Sequence, residues 1–225
     1  MVIGIIGKIG SGKSVVSEYL INNYNAIAFN CDDVAKKMIA EGDSSLDFDF
    51  TDDIFTNEKK QEDIRIDFHP LVFLRIKEQI NNLYNLLNKN NKNNFFELVC
   101  DKTIINDNRF QELMNFTNFL NKNNFENKNS ISEQLIIIES ALPSIDMFNM
   151  CDKIIFVDSS YEDRSKRLKE KRGYTDLKIR QIDDSQKFYE KFYDRADYKI
   201  VNAYTKADLE DRVKEVMDEI YFTGK

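Results

Sequence analysis

The segment at residues 7–14 reads GKIGSGKS and constrains the fold of this chain more than any other feature. It matches the pattern Gly-x-x-x-x-Gly-Lys-Ser of a phosphate-binding loop, the P-loop. The aliphatic run at residues 2–6 before it predicts a buried strand, and residues 15–21 after it predict a helix. The motif therefore lies in the strand–loop–helix context that it requires, which argues against a glycine-rich turn that matches by chance.

The chemistry of this loop follows from its residue types. Glycines let the backbone fold tightly around phosphate oxygens, and the loop amides with the helix N-terminus direct positive charge at a triphosphate. Lys13 is expected to reach the β- and γ-phosphates, and the Ser14 hydroxyl to ligate Mg²⁺. The expected nucleotide-binding residues of the loop are Gly7, Gly10, Ser11, Gly12, Lys13, Ser14 and Val15.

Composition excludes several classes of protein. The 225 residues carry a net charge of −7, so nonspecific nucleic-acid binding is not expected. No apolar run is long enough to span a bilayer, and the N-terminus shows no basic segment ahead of an apolar one, so we expect neither membrane association nor a signal peptide. The three widely spaced cysteines, Cys31, Cys100 and Cys151, favour neither a disulfide framework nor a zinc site. A reduced, cytoplasmic setting fits best.

The order of apolar segments predicts an α/β fold. Short runs rich in apolar residues at 26–29, 136–139, 153–158 and 198–202 are typical of strands, and helical segments are predicted at 34–40, 161–172 and 206–221. Aliphatic runs separated by helices indicate a parallel sheet covered on both faces. Residues 81–130 are rich in asparagine; we interpret these runs as flexible tips without a function of their own.

Two acidic positions follow predicted strands and are candidate site residues. Asp32 and Asp33 come after the second strand, at an edge where parallel strands open onto a site. A carboxylate there can accept a proton from an attacking hydroxyl; the alternative is a helix cap. We assign Asp32 as the base and Asp33 as the cap of a helix beginning at Val34. Glu139 ends an aliphatic strand and resembles a Walker B carboxylate, which holds Mg²⁺ through water or positions an acceptor.

A basic helix and a lone histidine complete the candidates. Arg164, Arg167 and Lys171 share one face of the predicted helix at 161–172, with Arg172 beside them. Small kinases use such a basic lid to clamp the transferred phosphoryl group, but an ordinary solvated face has the same pattern. His69 precedes a proline that can open a helix, so a structural role competes with a functional one.

Taken together, these residues resemble the dephospho-coenzyme A kinase family. Its opening often reads G-I/L-T-G-G-I-G-S-G-K-S, and this chain has GIIGKIGSGKS at residues 4–14. The other segments that carry the resemblance are NCD at 30–32, HPLV at 69–72, IESALP at 138–143 with DKIIFV at 152–157, the lid-like residues 164–186, and RADYKIVN at 195–202. The resemblance covers roughly the first 40 and the last 90 residues. Asn30 replaces an aspartate of the family, and the final loop at 202–205 lacks the usual glycine.

The resemblance implies a three-layer P-loop fold with a parallel sheet, a helical acceptor-binding region at about 43–130 and a basic lid at about 161–186. The core would comprise residues 1–42 and 131–225, within a single domain of 225 residues. It further implies that ATP, with Mg²⁺, phosphorylates the ribose 3′-hydroxyl of dephospho-coenzyme A, the last step of coenzyme A synthesis. Asp32, Lys13 and Arg167 would be catalytic, Asp32, His69 and Glu139 would contact the acceptor, and Asn202 would line the adenine side.

Other functions remain open from the sequence. Another small-molecule P-loop kinase, acting on nucleosides or nucleotides, would share the fold and the phosphate chemistry. A GTPase would need an Asn-Lys-x-Asp motif, which is missing. A third alternative is a non-catalytic protein that binds nucleotide as a regulator, although retention of Lys13, Ser14 and Asp32 argues against lost catalysis. The sequence does not give the oligomeric state.

Overall fold

The computed structural model of the chain describes residues 1–41, 59, 68–88 and 134–223. The chain divides into two compact units, Met1–Ile76 with Leu135–Lys225 and, separately, Lys77–Gln134. The elements follow in the order β1 (Val2–Ile6), α1 (Lys13–Tyr24), β2 (Ile27–Asn30), α2 (Cys31–Ala40), α3 (His69–Asn88), β3 (Ile136–Ser140), α4 (Ile145–Met150), β4 (Lys153–Asp158), α5 (Tyr161–Arg172), α6 (Asp176–Ser185), a 3₁₀ turn (Lys187–Tyr189), α7 (Glu190–Tyr193), β5 (Tyr198–Val201) and α8 (Lys206–Thr223). Most of the asparagine-rich stretch lies outside the described residues.

The strands form one sheet of five parallel strands in the order β2-β3-β1-β4-β5. The predicted α/β class with a parallel sheet is therefore confirmed. Strand β1 lies at the centre, between β3 and β4. In register, Ile5 pairs with Glu139, and Glu139 pairs with Asn30 on the other side. The carboxyl ends of β1, β3 and β2 thus meet at one edge, where ligands bind in open α/β sheets.

One face of the sheet packs against α1 and α8. Ile3, Ile5 and Ile137 are fully buried there, as are Val16 of α1 and Val213 of α8. The strands read as aliphatic runs because parallel strands are covered on both faces. This layer fixes α1, and with it the end of the P-loop, against the sheet.

The other face of the sheet is covered by α4 and by the segment around the 3₁₀ turn. Gly4 faces this side, where a Cβ would lie 2.6 Å from Cδ1 of Ile154 and 3.0 Å from the Met147 methyl group, so a side chain here would force its neighbours to shift. The Phe156 ring makes edge-to-face contacts with Tyr189 and Tyr193, with centroids 6.0 Å and 5.1 Å apart. The described helices thus cover both faces of the sheet.

The start of α2 differs from the prediction. The helix begins at Cys31, and its cap is Asn30, whose side-chain oxygen accepts hydrogen bonds from the backbone amides of Asp32 and Asp33. The assignment of Asp33 as the cap is therefore wrong. Asparagine is among the strongest N-cap residues, and both acids instead lie in the first turn, where negative charge favours the helix dipole.

Within the described part of the chain, no helix is long and apolar enough to cross a membrane.

Candidate functional site

The P-loop follows β1 and has a backbone that only glycines adopt without strain. Gly12 has a φ of 107°, and a Cβ there would lie 2.3 Å from the Asn202 side-chain nitrogen. Gly7 has a φ of 152°, and a Cβ there would lie 2.2 Å from the Val157 carbonyl oxygen. Neighbouring segments therefore contact the loop backbone directly. The glycines are needed because these segments approach so closely, as well as for their dihedral angles.

Lys13 is buried at the start of α1 and turns back onto the loop. Its ammonium group donates to the carbonyl oxygens of Gly7 at 2.8 Å and Lys8 at 3.3 Å. Burial lowers the pKa of Lys13, and the nearby carboxylates of Glu139 and Asp32 oppose that shift. Phosphate oxygens are stronger acceptors than these carbonyl oxygens, so a bound phosphate would replace them as the partner of the Lys13 ammonium group.

Glu139 links the end of β3 to α1. One carboxylate oxygen accepts from the Ser14 hydroxyl at 3.1 Å, and the other accepts from the Ser17 hydroxyl at 2.8 Å. Glu139 and Ser17 are buried, while Ser14 is exposed. Ser14 and Ser17 lie one helical turn apart, so both hydroxyls meet the same carboxylate. This contact fixes the orientation of the carboxylate beside the P-loop.

Oxygen ligands around Ser14 suit a Mg²⁺ ion. The Ser14 hydroxyl and the Glu139 carboxylate present hard oxygen donors side by side. Mg²⁺ usually keeps several waters and binds through one or two carboxylates together with substrate phosphates, so it needs few protein ligands. The chemistry of the donor set therefore fits this metal. Ser14 as its ligand stays a prediction.

Asp32 lies in the first turn of α2, at the same edge of the sheet. The residue is exposed to solvent, but surrounding protein atoms partly desolvate its carboxyl group, and this is the main cause of a raised pKa. The Lys13 ammonium opposes the shift, whereas Glu139 adds to it. Since these three groups act on one another electrostatically, the structure brings together the base, the phosphate-binding lysine and the acidic strand end that the sequence singled out. Their catalytic roles stay predictions.

The basic residues of α5 divide into two groups. Arg164 is buried and bonds to Asp183 of α6 at 2.5 Å and to the Ser159 carbonyl at 3.2 Å. Lys171 and Arg172, at the end of the helix, are exposed. Arg164 is therefore set apart from a solvated face by its burial, whereas Lys171 and Arg172 are exposed as a solvated face would be.

Arg167 contacts the P-loop directly. Its guanidinium group donates to the Gly10 carbonyl at 3.1 Å, to the Ser159 hydroxyl at 2.8 Å and to the Asn202 carbonyl at 3.0 Å. Burial lowers its pKa, and Asp163 opposes that effect. The acceptors of these three bonds are neutral oxygens, and through them Arg167 joins α5 to the P-loop and to the segments that follow β4 and β5. Whether it also clamps the transferred phosphoryl group stays a prediction.

Asn202 and Gln186 hold the loop from two other segments. The buried Asn202 amide donates to the Ser11 carbonyl at 2.8 Å. The fully buried Gln186 accepts from the Ile9 amide at 3.0 Å. The contact with Ser11 brings Asn202 beside the P-loop, and its predicted role in nucleotide binding stays a prediction.

His69 is the first residue of α3 and is buried. Its ring lies 5.8 Å from the Phe73 ring in an edge-to-face arrangement. This contact is one of apolar packing, and acceptor binding by His69 stays a prediction.

Sequence reasoning missed several residues that support the site, among them Ser17, Asp183 and Tyr189. The Tyr189 hydroxyl donates to the Ala141 carbonyl just after β3, and burial is the main cause of its strongly raised pKa. Ser17 could have been found, since it lies three residues after Ser14 on a helix. Asp183 and Tyr189 gave no local signal, because their partners are distant in sequence.

Comparison with known proteins supports the fold. No protein-family model matches the chain. Similar solved structures include the protein TT1252 of Thermus thermophilus (TM-score 0.58, 16% identity, 97% of each chain covered). They also include dephospho-CoA kinase from Campylobacter jejuni (TM-score 0.50, 17% identity, 100% of this chain and 98% of that one) and shikimate kinase from Acinetobacter baumannii in complex with shikimate (TM-score 0.50, 12% identity, 99% and 93%). The chain therefore has the α/β fold of P-loop kinases.

Proposed function

We propose that this protein is an ATP-dependent kinase of a small molecule, and specifically that it phosphorylates the ribose 3′-hydroxyl of dephospho-coenzyme A. The observation that carries the kinase proposal is the grouping of Asp32, Lys13 and Glu139 at the carboxyl edge of the sheet. A phosphate-binding lysine, a carboxylate with a raised pKa and an ordered acidic strand end are the parts that phosphoryl transfer to an alcohol needs.

In this proposal the loop and the base divide the reaction between them. The P-loop amides and Lys13 hold the β- and γ-phosphates in position. Asp32 accepts the proton of the acceptor hydroxyl as its oxygen attacks the γ-phosphorus. The bond between that phosphorus and the bridging oxygen breaks, and ADP leaves with the electron pair. Mg²⁺, held through Ser14 and Glu139, would neutralise phosphate charge when bound.

The choice of acceptor rests on the sequence segments that resemble dephospho-coenzyme A kinase. The described residues are compatible with it, since Asp32 follows β2 and Asn202 follows β5, as the resemblance implies. The fold is similar to a dephospho-CoA kinase and to a shikimate kinase alike, so it does not choose between acceptors. The free thiols of Cys31 and Cys151 are compatible with the cytoplasmic location we propose.

The test is a comparison of acceptors. ADP release from ATP and Mg²⁺ is measured with dephospho-coenzyme A, with adenosine, deoxyadenosine and shikimate, and without acceptor. We expect dephospho-coenzyme A to give the highest kcat/KM by at least tenfold, and the product to carry its new phosphate on the 3′ position by NMR. Lys13→Ala should abolish the transfer while the circular-dichroism spectrum stays that of the wild type.

Three other results would each contradict a different part of this proposal. A preference for a nucleoside would retain the kinase and reject the acceptor. Tight ATP binding without turnover on any acceptor would favour the regulatory, non-catalytic alternative. Full activity in folded Lys13→Ala would overturn the role of the P-loop itself.

A further inference from the structure

The P-loop contains a second lysine, Lys8, whose side chain the proposed reaction does not use. Its ammonium group lies 3.4 Å from a carboxylate oxygen of Asp183 on α6, and the two side chains are 22% and 24% exposed. In the family opening that this chain resembles, the position after Gly7 is usually glycine. The second lysine is therefore an added positive charge at the loop.

Asp183 has a stronger partner than Lys8. The same carboxylate oxygen accepts from Arg164 at 2.5 Å, and the Arg164 side chain is only 5% exposed. Partial burial acts to raise the pKa of Asp183, but the hydrogen bond and charge of Arg164, with the charge of Lys8, outweigh it and leave that pKa lowered. Two cations thus share one carboxylate. If Lys8 leaves, Asp183 and the buried Arg164 remain paired.

The bond that Lys8 would give up is weak. An ion pair at 3.4 Å between partly exposed side chains contributes little net stability, because solvent screens the two charges. A phosphate oxygen offers more, because charge-assisted hydrogen bonds to phosphate are shorter and stronger. Lysine also has a flexible four-carbon stem with three donors, so its head group can change partner without movement of the backbone.

The backbone of Lys8 already belongs to the cradle. Its carbonyl oxygen accepts from the Lys13 ammonium at 3.3 Å and from the Ser11 amide at 3.1 Å. The Lys8 side chain therefore starts beside the phosphate-binding lysine and extends toward α6. The positive charge of Lys8 therefore lies close to the phosphates that the P-loop is proposed to bind.

We propose that Lys8 is a second phosphate-binding cation, which Asp183 holds beside the P-loop and which moves to the γ-phosphate of a bound nucleoside triphosphate. The inference rests on the proposed function, since it requires a triphosphate at this loop. It adds a residue that distinguishes the triphosphate from the diphosphate product. When Lys8 moves from Asp183 to the triphosphate, the ion pair between the P-loop and α6 is broken.

The experiment compares Lys8→Met with Lys206→Met. Lys206 of α8 is the control, because its ammonium group also lies 3.4 Å from a carboxylate, that of Glu18, and the residue is not part of the P-loop motif. Affinities for ADP and for the non-hydrolysable triphosphate AMP-PNP are measured with Mg²⁺ by calorimetry. We expect Lys8→Met to weaken AMP-PNP binding by about tenfold or more, the lower bound for a lost charge-assisted bond, and ADP binding by less than about threefold. The Lys206 variant should bind both as the wild type does.

A second variant tests the holding role of Asp183. Asp183→Asn removes the charge that retains Lys8, so AMP-PNP affinity should equal or exceed that of the wild type. Weaker AMP-PNP binding in a folded Asp183→Asn protein would overturn the holding role. Its melting temperature shows whether the buried Arg164 tolerates the loss, and Lys8→Met tests the phosphate contact independently.

The remaining outcomes separate this inference from the proposed function. Unchanged AMP-PNP affinity in Lys8→Met overturns the inference. Equal losses for ADP and AMP-PNP also overturn it, because Lys8 would then only shape the loop. If Lys13→Ala binds both nucleotides normally, the proposed nucleotide site itself fails, whatever Lys8 does.

Discussion

Gly12→Ala should destabilise the protein through two separable effects. The residue has a φ of 107°, which L side chains rarely adopt, and its added Cβ would lie 2.3 Å from the Asn202 side-chain nitrogen. That nitrogen donates to the Ser11 carbonyl in a buried hydrogen bond. The methyl group would therefore strain the loop and also displace Asn202 from its partner.

The cost of Gly12→Ala can be divided into backbone strain and loss of the Asn202 bond by comparison with a second glycine. Gly173, after α5, has a φ of 64°, and a Cβ there would meet nothing within 4 Å, so Gly173→Ala carries only the left-handed cost of about 1–2 kcal/mol. Gly12→Ala adds the loss of the Asn202 bond, about 1–3 kcal/mol for a buried pair. The expected total is about 2–5 kcal/mol. Since the methyl group already breaks this bond, the double variant Gly12→Ala/Asn202→Ala should cost about as much as Gly12→Ala alone.

The assay is urea unfolding, followed by circular dichroism and fluorescence so that coincident transitions support a two-state analysis. The four free energies of unfolding for the wild type, each single variant and the double variant form a cycle, with an expected coupling of about 1–3 kcal/mol. Strict additivity would refute the displacement of Asn202. A cost for Gly12→Ala no greater than that for Gly173→Ala would refute the clash itself.

Two further predictions concern residues that hold the site. Arg167→Ala should lower kcat by about an order of magnitude or more and also lower the melting temperature, because the loop loses a charged donor at Gly10; a change in melting temperature alone would leave Arg167 with a structural role. Ser17→Ala should raise the Mg²⁺ concentration for half-maximal rate by about tenfold, since Glu139 loses a donor that orients it. The buried Ser165 of α5 supplies the control, and an equal shift in Ser165→Ala would contradict this role.

The fold was predictable where the signal was local. The runs at 136–139 and 153–158 are apolar in their interiors because both faces of the parallel sheet are covered, and the structure has strands there. The helix at 161–172 has the predicted bounds, set by the Ser160 cap and Gly173. The sequence predicted a start of α2 at Val34 with Asp33 as the cap. Asparagine and aspartate are both strong N-cap residues, so the pattern did not distinguish Asp33 from Asn30, which caps the helix.

The contacts of the site were not predictable, because they join segments far apart in the chain. Ser17 and Glu139 are separated by 122 residues, and only the register of β1 with β3 brings them together. The basic face of α5 follows from helical periodicity, but which of its residues reach the P-loop depends on how α5 packs against the loop. A sequence pattern places Arg167 on a face; the fold decides that Gly10 is its partner.

Asp32 gives the most direct test of the proposed chemistry. Asp32→Asn keeps the shape of the side chain but cannot accept a proton, so we expect kcat to fall by about 10² to 10⁴, the usual range for loss of a general base, with little change in ATP affinity. Asp33→Asn is the matched control, because both residues lie in the first turn of α2 and both donate their backbone amides to the Asn30 cap. If Asp33→Asn is the inactive variant, the base is assigned one residue too early. If both remain active, Glu139 becomes the candidate base.

The pH dependence of the wild type adds an independent check on Asp32. Desolvation raises the pKa of Asp32 above its ordinary value of 3.8, despite the opposing charge of Lys13. A base works only when deprotonated, so kcat should fall as the pH drops through this raised pKa, about tenfold for each unit below it. The same shift means that the folded protein binds this proton more tightly than the unfolded chain, so ionisation of Asp32 reduces the free energy of unfolding as the pH rises through this range. Activity and the Asp32 contribution to stability should therefore change in opposite directions with pH. In Asp32→Asn both dependences should be lost, and an acidic limb that persists there would assign the titrating base to another carboxylate.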